Sequence, residues 1–581
     1  MPFQVSPGIN VSEIDLTTVV PNVATSIGAV AGGFQWGPVL ERTRITTEND
    51  LVDTFGKPND DTAEYFHTAA NYLAYSNNLL VTRNVGTSAK NAVVGDTDAG
   101  TAANVNNATD YDSDTFTDQL FVAKYPGALG NSLKAIVVDG FGWATIAAIA
   151  ASARTPDQAL FINNFDRAPG TSTDVSNAGG TLDEMHVLVV DEDGLWSGTP
   201  GEVLERHAFV SKASDAKRID GSSNYIGTVL RNESKYIWLG LASQLTATTV
   251  DSNSHAGLTK AGRTFNRING ATQALQMPGG SLTLGVDDNV LTDGELQAAY
   301  ALYIVPEVVD VTLVMGGPAS TTSGRYIVDN IATVRKDCVA FVSPAKASVV
   351  NAGTAQVTNL TTDNTALGSS SYAVMDGAWK YQYDRYNDVF RYIPMNGDIA
   401  GLCARTDFTN DAWWSPAGIN RGLIKNIVKL SWEATKADRD TMYPLGINPI
   451  ITQTGAGVLL FGDKTMQTVP SAFDRINVRR LFIVLEKAIS IAAKSMLFEF
   501  NDEFTRSQFV NMVEPFLREV QGRRGITDFK VVCDSSNNTG QIIDTNSFVG
   551  DIYVKPARSI NYIQLNFIAA RTDVSFSEIG G

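Results

Sequence analysis

Asp61-Thr-Ala-Glu-Tyr-Phe-His-Thr-Ala-Ala-Asn-Tyr-Leu-Ala-Tyr-Ser-Asn-Asn-Leu-Leu-Val-Thr-Arg83 is the stretch on which the fold turns. Tyr65, Phe66, Ala69, Tyr72 and Leu73 recur at helical spacing, and the chain then passes into the strand-like run Leu79 to Arg83. A helix feeding directly into a strand is the start of an α/β layer. Upstream, Ser26 to Gly32 reads as a small-residue apolar strand, Trp36-Gly-Pro38 as a turn, and Glu48 to Phe55 as a short helix closed by Gly56 and Pro58. Far downstream the pattern resumes, with a helix signal at Gly294 to Tyr303 and strands at Val308 to Met315 and Cys338 to Val342.

What separates the two halves differs in composition. From about residue 86 the chain is rich in Ala, Asn, Asp, Thr and Gly, with few large apolar residues until Phe116, as expected of an insertion exposed on the α/β domain. A further block runs from Met185 to about Gly285, in which His186 to Val190 turns at Asp191-Glu-Asp-Gly194, a hairpin signal.

The region from 372 to 581 has the clearest periodicity. With Asn477 as N-cap, a helix from Arg479 to about Phe498 places Leu481, Phe482, Val484, Leu485, Ala488, Ile489, Ala492 and Met496 on one half. Arg479, Arg480, Lys487 and Lys494 fall within an arc of about 100° on the other half. A second helix, about Phe504 to Gln521, ends at Gly522, and strand signals follow at Thr527 to Cys533, Phe548 to Val554 and Ile560 to Ala569. At the other end, Val5 to Val20 has β-branched residues in short alternation without enough apolar bulk for a core, so it reads as an arm. The fold class is therefore α+β multidomain, divided as 1–22, 23–86, 87–185, 186–290, 291–371 and 372–581.

Composition narrows the function. At 581 residues the chain exceeds a single core, and 44% hydrophobic with 18% charged residues is a globular balance. No stretch approaches the roughly 20 apolar residues of a membrane span, and the N-terminus lacks the pattern of a secretory signal, so folding in a cytoplasm is expected. A net charge of −17 argues against an extended nucleic-acid surface. The charge is uneven: residues 421–581 carry 19 Lys and Arg against 17 Asp and Glu, or +2, leaving 26 against 45, or −19, for residues 1–420. Cys338, Cys403 and Cys533 have neither disulfide-framework nor zinc-site spacing and read as buried thiols.

Motifs for chemistry are missing. Gly457-Val-Leu-Leu-Phe-Gly-Asp-Lys-Thr465 approaches a phosphate loop, but Asp463 stands where the lysine is needed and the apolar interior suits a buried strand. Asp191-Glu-Asp-Gly194 lacks the upstream carboxylate and downstream glutamate of a calcium loop and reads as a solvated hairpin tip. The histidines His67, His186, His207 and His255 show no metal or triad spacing, and neither a Gly-x-Ser-x-Gly elbow nor a dinucleotide fingerprint occurs. No catalytic residue, metal or cofactor is assigned; a hydrolase on the α/β domain is the alternative, built from groups that meet only in the fold. Tyr381-Gln-Tyr-Asp-Arg-Tyr386 and Trp413-Trp414 suit core or interface roles. The basic helix face is either a solvated face or a partner surface. The terminal arms either fold back on their own subunit or complete a sheet in another chain.

Several blocks resemble one family. Ser6-Pro-Gly-Ile-Asn-Val-Ser-Glu13, Phe34-Gln-Trp-Gly-Pro38 and Asn49-Asp-Leu-Val-Asp-Thr-Phe-Gly56 are similar to the opening of contractile tail sheath proteins of T-even-type myophages. Tyr392-Ile-Pro-Met-Asn-Gly-Asp-Ile-Ala-Gly401, Ile476-Asn-Val-Arg-Arg-Leu-Phe482 and Phe548-Val-Gly-Asp-Ile-Tyr-Val-Lys-Pro-Ala-Arg-Ser-Ile-Asn-Tyr562 agree in the same order, and Gly198-Thr-Pro-Gly-Glu-Val-Leu-Glu205 adds a weaker match.

The resemblance implies an inner domain next to a tail tube, built from the C-terminal region and the N-terminal arm, with outer domains at 87–185 and 186–290. It implies a non-enzymatic subunit that stacks as hexameric rings, contracts, and meets the tail tube, baseplate and terminator proteins, without nucleic acid or membrane insertion. Its place would be the virion tail, with assembly in the host cytoplasm. The strand-exchanging arms would then include Ile9, Val11, Ile14 and Val19 at one end and Ile560, Tyr562, Ile563, Leu565 and Phe567 at the other. The tube-facing candidates are Arg479, Arg480, Lys487 and Lys494, with Arg518, Arg523 and Arg524 next.

Overall fold

A computed structural model describes residues 23–95, 101–245, 254–266, 279–562 and 564. The chain begins with β1 (Gly28–Gly33), β2 (Arg42–Ile45), α1 (Glu48–Phe55), α2 (Ala63–Leu73) and β3 (Leu79–Asn84), as the opening stretch predicts. The small residues of β1 have a steric cause. A Cβ on Gly28 would lie 2.6 Å from Tyr72 Cζ and one on Gly32 2.1 Å from Tyr65 Cδ1, both rings belonging to α2.

The insertion then departs. β4 (Leu133–Asp139), β5 (Glu184–Asp191) and β6 (Glu202–Ser211) form an antiparallel sheet with the short strand Gly279–Ser281. A three-stranded sheet joins Val93–Val94, Phe121–Ala123 and Ile237–Leu239. One apolar core, including Phe121, Leu133, Val187 and Leu239, runs through both sheets. The expected boundary at 185/186 is thereby corrected. It falls inside β5, which pairs with β4 from Leu133↔Asp191 to Asp139↔Met185, a long-range pairing that no local pattern displays. Asp191 is not a solvated tip residue either: it is buried and accepts hydrogen bonds from Ser132 Oγ and the amides of Gly194, Trp196 and Ser197.

The chain returns through α3 (Asp293–Ala301), β7 (Leu313–Met315), β8 (Val339–Val342), β9 (Ala373–Asp376), the hairpin β10 (Trp379–Asp384) and β11 (Val389–Pro394), α4 (Asn396–Thr409) and β12 (Ile447–Asn448). The main sheet has the order β12-β9-β8-β7-β1-β3-β2, parallel except at the β2 edge. Alternate side chains feed two cores: Val30 meets Phe66, Met395 and Ile399 on one face, while Ala29 and Ala31 meet Tyr300, Ile327 and Met442 on the other. Since β9 and β12 lie beyond residue 371, the α/β layer extends further than the expected 291–371 segment.

β13 (Ile450–Gln453) and β14 (Gly457–Leu460) form a hairpin, and the phosphate-loop look-alike is the strand its apolar residues suggest, with Leu459 and Leu460 fully buried. Last come α5 (Ile476–Ala493), α6 (Glu503–Gly522), β15 (Ile526–Val532) and β16 (Asp551–Pro556), with a core of their own. The strand expected from Phe548 starts later, and Ile560 to Tyr562 are not in a strand; the rest of that expected strand, apart from Gln564, lies outside the described residues.

Candidate assembly surface

α5 is wedged between two cores. Leu481, Leu485, Ala488 and Ala492 pack on Phe509, Val513 and Leu517 of α6, while Ile476 and Ile483 turn towards the core beneath the main sheet. The helix starts at Ile476 with Arg475 as N-cap, not at an Asn477 cap; the Asn477 amide instead donates to the carbonyls of Trp413 and Ala557.

This placement corrects the basic face. Arg479 and Arg480 are buried. The Arg479 guanidinium lies 4.1 Å and 3.9 Å from the ring centres of Tyr372 and Phe473 and donates to Ser371 Oγ at 2.7 Å. Arg480 pairs with Asp407 of α4 at 2.6 Å and donates to the carbonyls of Cys403 and Thr25. Lys487 forms an ion pair with Asp310. These cations bind the unit to its own chain, because the side of α5 that a helical wheel leaves polar faces protein. Lys494 is exposed, as are Arg518, Arg523 and Arg524; Arg523 pairs with Asp411.

Both ends of the described chain meet at this unit. Val23 packs on its core and Thr25 touches Arg480, while residues 557–562 leave from β16. Of the predicted arm residues, Ile560 and Tyr562 are exposed; Ile9, Val11, Ile14, Val19, Ile563, Leu565 and Phe567 lie outside the described residues.

β15 and β16 pair with each other from Ile526↔Pro556 to Val532↔Asp551, and among the described residues no third strand joins them. Phe529, Val531, Ile552 and Val554 face the α5–α6 core, whereas Tyr553 and Lys555 point outward. A sheet of two strands exposes unpaired amides and carbonyls along both outer edges.

Asp463 organises the exit of the C-terminal segment. Its carboxylate accepts from Arg475 at 2.9 Å, Tyr443 at 3.2 Å, Ser415 at 3.1 Å, Ser559 at 2.7 Å and Asn561 at 3.1 Å. Burial pushes its pKa up, but the bonds from Ser559 and Asn561 and the charge of Arg475 outweigh this and hold it below the ordinary carboxylate value. Sequence reasoning met Asp463 only as an obstacle to phosphate binding, since its partners are scattered from 415 to 561.

At the carboxyl ends of β7, β8 and β9 lies a buried polar cluster. Asn396 bridges the Gly317 amide and carbonyl and donates to Ser343 Oγ, which donates to Asp376. Burial, with Asp398 nearby, pushes the Asp376 carboxyl up to about 8 despite the bond from Ser343. Among the described residues no histidine hydrogen-bonds to a hydroxyl or thiol side chain; His67 sits against Gln382 and Asp384, and burial lowers it to about 4.

Residues 292–466 match the phage tail sheath protein central domain, 468–570 the phage tail sheath C-terminal domain, and 25–83 the tail sheath protein Gp18 domain III N-terminal region. The chain is 34% identical to the tail sheath protein of Vibrio phage KVP40, over 99% of each chain, and 34% identical to that of Enterobacteria phage T4, again over 99% of each. The chain belongs to the tail sheath protein family. The fold is also that of the sheath tail protein from Listeria innocua, at a TM-score of 0.52 and 12% identity, covering 93% of this chain and 94% of the other. In this sheath protein the central-domain match ends just before α5, and the C-terminal match takes in α5, α6, β15 and β16. Asp463 and Arg475 thus form an ion pair across the join.

Proposed function

We propose that this sheath protein polymerises through its chain ends. Residues 9–20 and 560–570 of one copy add strands to the open edges of β15–β16 in its neighbours, building hexameric rings stacked around a tail tube. The observation that carries this reading is that, among the described residues, β15 and β16 form a two-stranded sheet with both outer edges unpaired, in the unit where residues 23–25 and 557–562 meet. Each added strand forms several main-chain hydrogen bonds at about 1 kcal/mol net apiece, a modest link repeated at every subunit.

Contraction drives the tube through a host envelope as the extended lattice, a higher-energy state, relaxes into one with more contacts between copies; no nucleotide or covalent step is required. The inserted unit faces outward. Lys494, exposed just past the end of α5, and Arg518, exposed on α6, replace the buried arginines as tube-facing candidates, because polar contacts in a wet groove can be broken during contraction. Baseplate and terminator proteins cap the ends of the assembly in the virion, after assembly in the host cytoplasm. Electron microscopy of the purified full chain is expected to show hollow cylinders that vanish when residues 1–20 are deleted. Monodisperse particles from both would overturn the proposal.

A further inference from the structure

The turn between α5 and α6, Leu497-Phe-Glu-Phe-Asn-Asp-Glu-Phe504, is built to display apolar side chains. Leu497, Phe498, Phe500 and Phe504 are 63%, 104%, 84% and 75% exposed. Its backbone is nevertheless fixed: the buried Arg506 donates to the side chain and the carbonyl of Asn501, and Asn501 in turn donates to Ser547 O at 2.8 Å. Phe498 is held at φ 72°, a region that bulky residues rarely adopt. Glu499, Asp502 and Glu503 lie between the aromatics and are exposed, so the turn is an acidic, aromatic knob.

At the other end of α6 lies a groove of about 1120 Å³ between the C-terminal unit and the α/β domain. Arg421, Lys436, Arg439, Arg524 and Arg558 line it, and among the described residues none of the five forms an ion pair. Of its carboxylates, Asp463 is already held by Arg475, which leaves Asp440. Trp414 and Phe461 contribute apolar walls, and Arg421 and Arg524 lie 5.2 Å and 5.4 Å from the Trp414 ring. Five cations that form no ion pair among the described residues, set against Asp440 around aromatic walls in a chain of net charge −17, call for an acidic, aromatic occupant.

We infer that the knob at 497–504 of one copy docks into this groove of a second copy. The two features complement each other in charge and both present aromatic surface. They cannot meet within one chain, because the 20-residue helix α6 holds them roughly 30 Å apart. A knob and a socket at opposite ends of one rigid helix make a head-to-tail contact, the kind that generates rings or helical filaments. The inference rests on the sheath reading and adds to the proposed strand exchange a second, side-chain-mediated contact between subunits.

The test uses the full chain with Phe500→Cys and Arg558→Cys together; Cys338, Cys403 and Cys533 are buried. Mild oxidation is expected to give a ladder of covalent dimers, trimers and higher species at least tenfold above either single variant. In a second arm, Glu499→Lys with Glu503→Lys is expected to reduce assembly measured by light scattering at least tenfold, and adding Arg524→Glu with Arg558→Glu to restore it. Cylinders without a ladder and without charge-swap rescue would overturn the inference while leaving the sheath reading intact. Cross-linking of Arg558→Cys to co-expressed tube protein, or its protection by an added oligonucleotide, would assign the groove to another occupant and overturn it as well. Neither ladder nor cylinders would remove both readings.

Discussion

Gly397 and Gly401 show how one residue type sets a distance between elements. They lie on α4 where it crosses α2, and a Cβ on Gly397 would stand 2.4 Å from the Thr68 carbonyl oxygen, a backbone atom that cannot rotate away. Gly397→Ala is therefore expected to lower stability by about 1–3 kcal/mol, the usual cost of overpacking, read as a reduced urea midpoint. Asp376 gives a pH dependence of defined sign. Its folded pKa of about 8 lies above the unfolded value of about 3.9. Between these limits the folded chain keeps a proton that the unfolded chain has released, so raising the pH destabilises the fold, by at most about 1.4 kcal/mol per pH unit. Asp376→Asn retains an acceptor for Ser343 and abolishes this titration. Melting curves from pH 5 to 8 should therefore fall less steeply for the variant than for the parent.

At the scale of elements, α5 decides how the C-terminal unit is held. Arg480 reaches Asp407 on α4 and Thr25 at the chain entry, so one buried cation ties three segments. Arg480→Met leaves Asp407 buried without its charge partner, which is expected to cost about 3–5 kcal/mol. Adding Asp407→Leu should recover much of that loss, and an apparent unfolding midpoint for each variant checks both steps. The same helix marks how far sequence could reach. Periodicity located α1, α2, β1, β3, β5, α5 and α6 to within a few residues, because each pattern is local, although the N-cap of α5 is Arg475 and not the expected Asn477. The wheel of α5 also identified Leu481, Leu485, Ala488 and Ala492 as core. It failed for Arg479 and Arg480, since a wheel separates polar from apolar and cannot show that protein covers both sides. The pairing of β4 with β5, the entry of β9 and β12 into the main sheet and the groove behind Trp414 depend on residues tens to hundreds of positions apart. The open edges of β15–β16 were legible only as strand signals, whereas the knob at 497–504 carried no signal beyond its aromatic count.

For the whole molecule, the main sheet carries two cores, the C-terminal unit one of its own and the insertion several, so the connections between cores govern its behaviour as an assembling subunit. Arg83 is one such connection. Fully buried, it donates to the carbonyls of Phe34 and Gly37 near the main sheet and of Pro126 in the insertion. Asp463 is another, joining Ser415 and Tyr443 of the α/β domain to Arg475 before α5 and to Ser559 and Asn561 on the departing C-terminal segment. Its folded pKa is depressed, so its stabilising contribution is complete above the unfolded value of about 3.9 and is lost as pH falls through the lower folded value. The segment at 559–561 should therefore remain docked from neutral pH down to about pH 4 and loosen only in stronger acid. Asp463→Asn should produce the same loosening at pH 7, because the amide cannot accept from Arg475, Ser559 and Asn561 at once with a full negative charge. Hydrogen exchange over residues 557–562 measures this directly. Faster exchange in the variant at pH 7, with α6 unchanged, is the expected result; unchanged exchange would mean that the strand pairing of β16, and not Asp463, holds this segment in place.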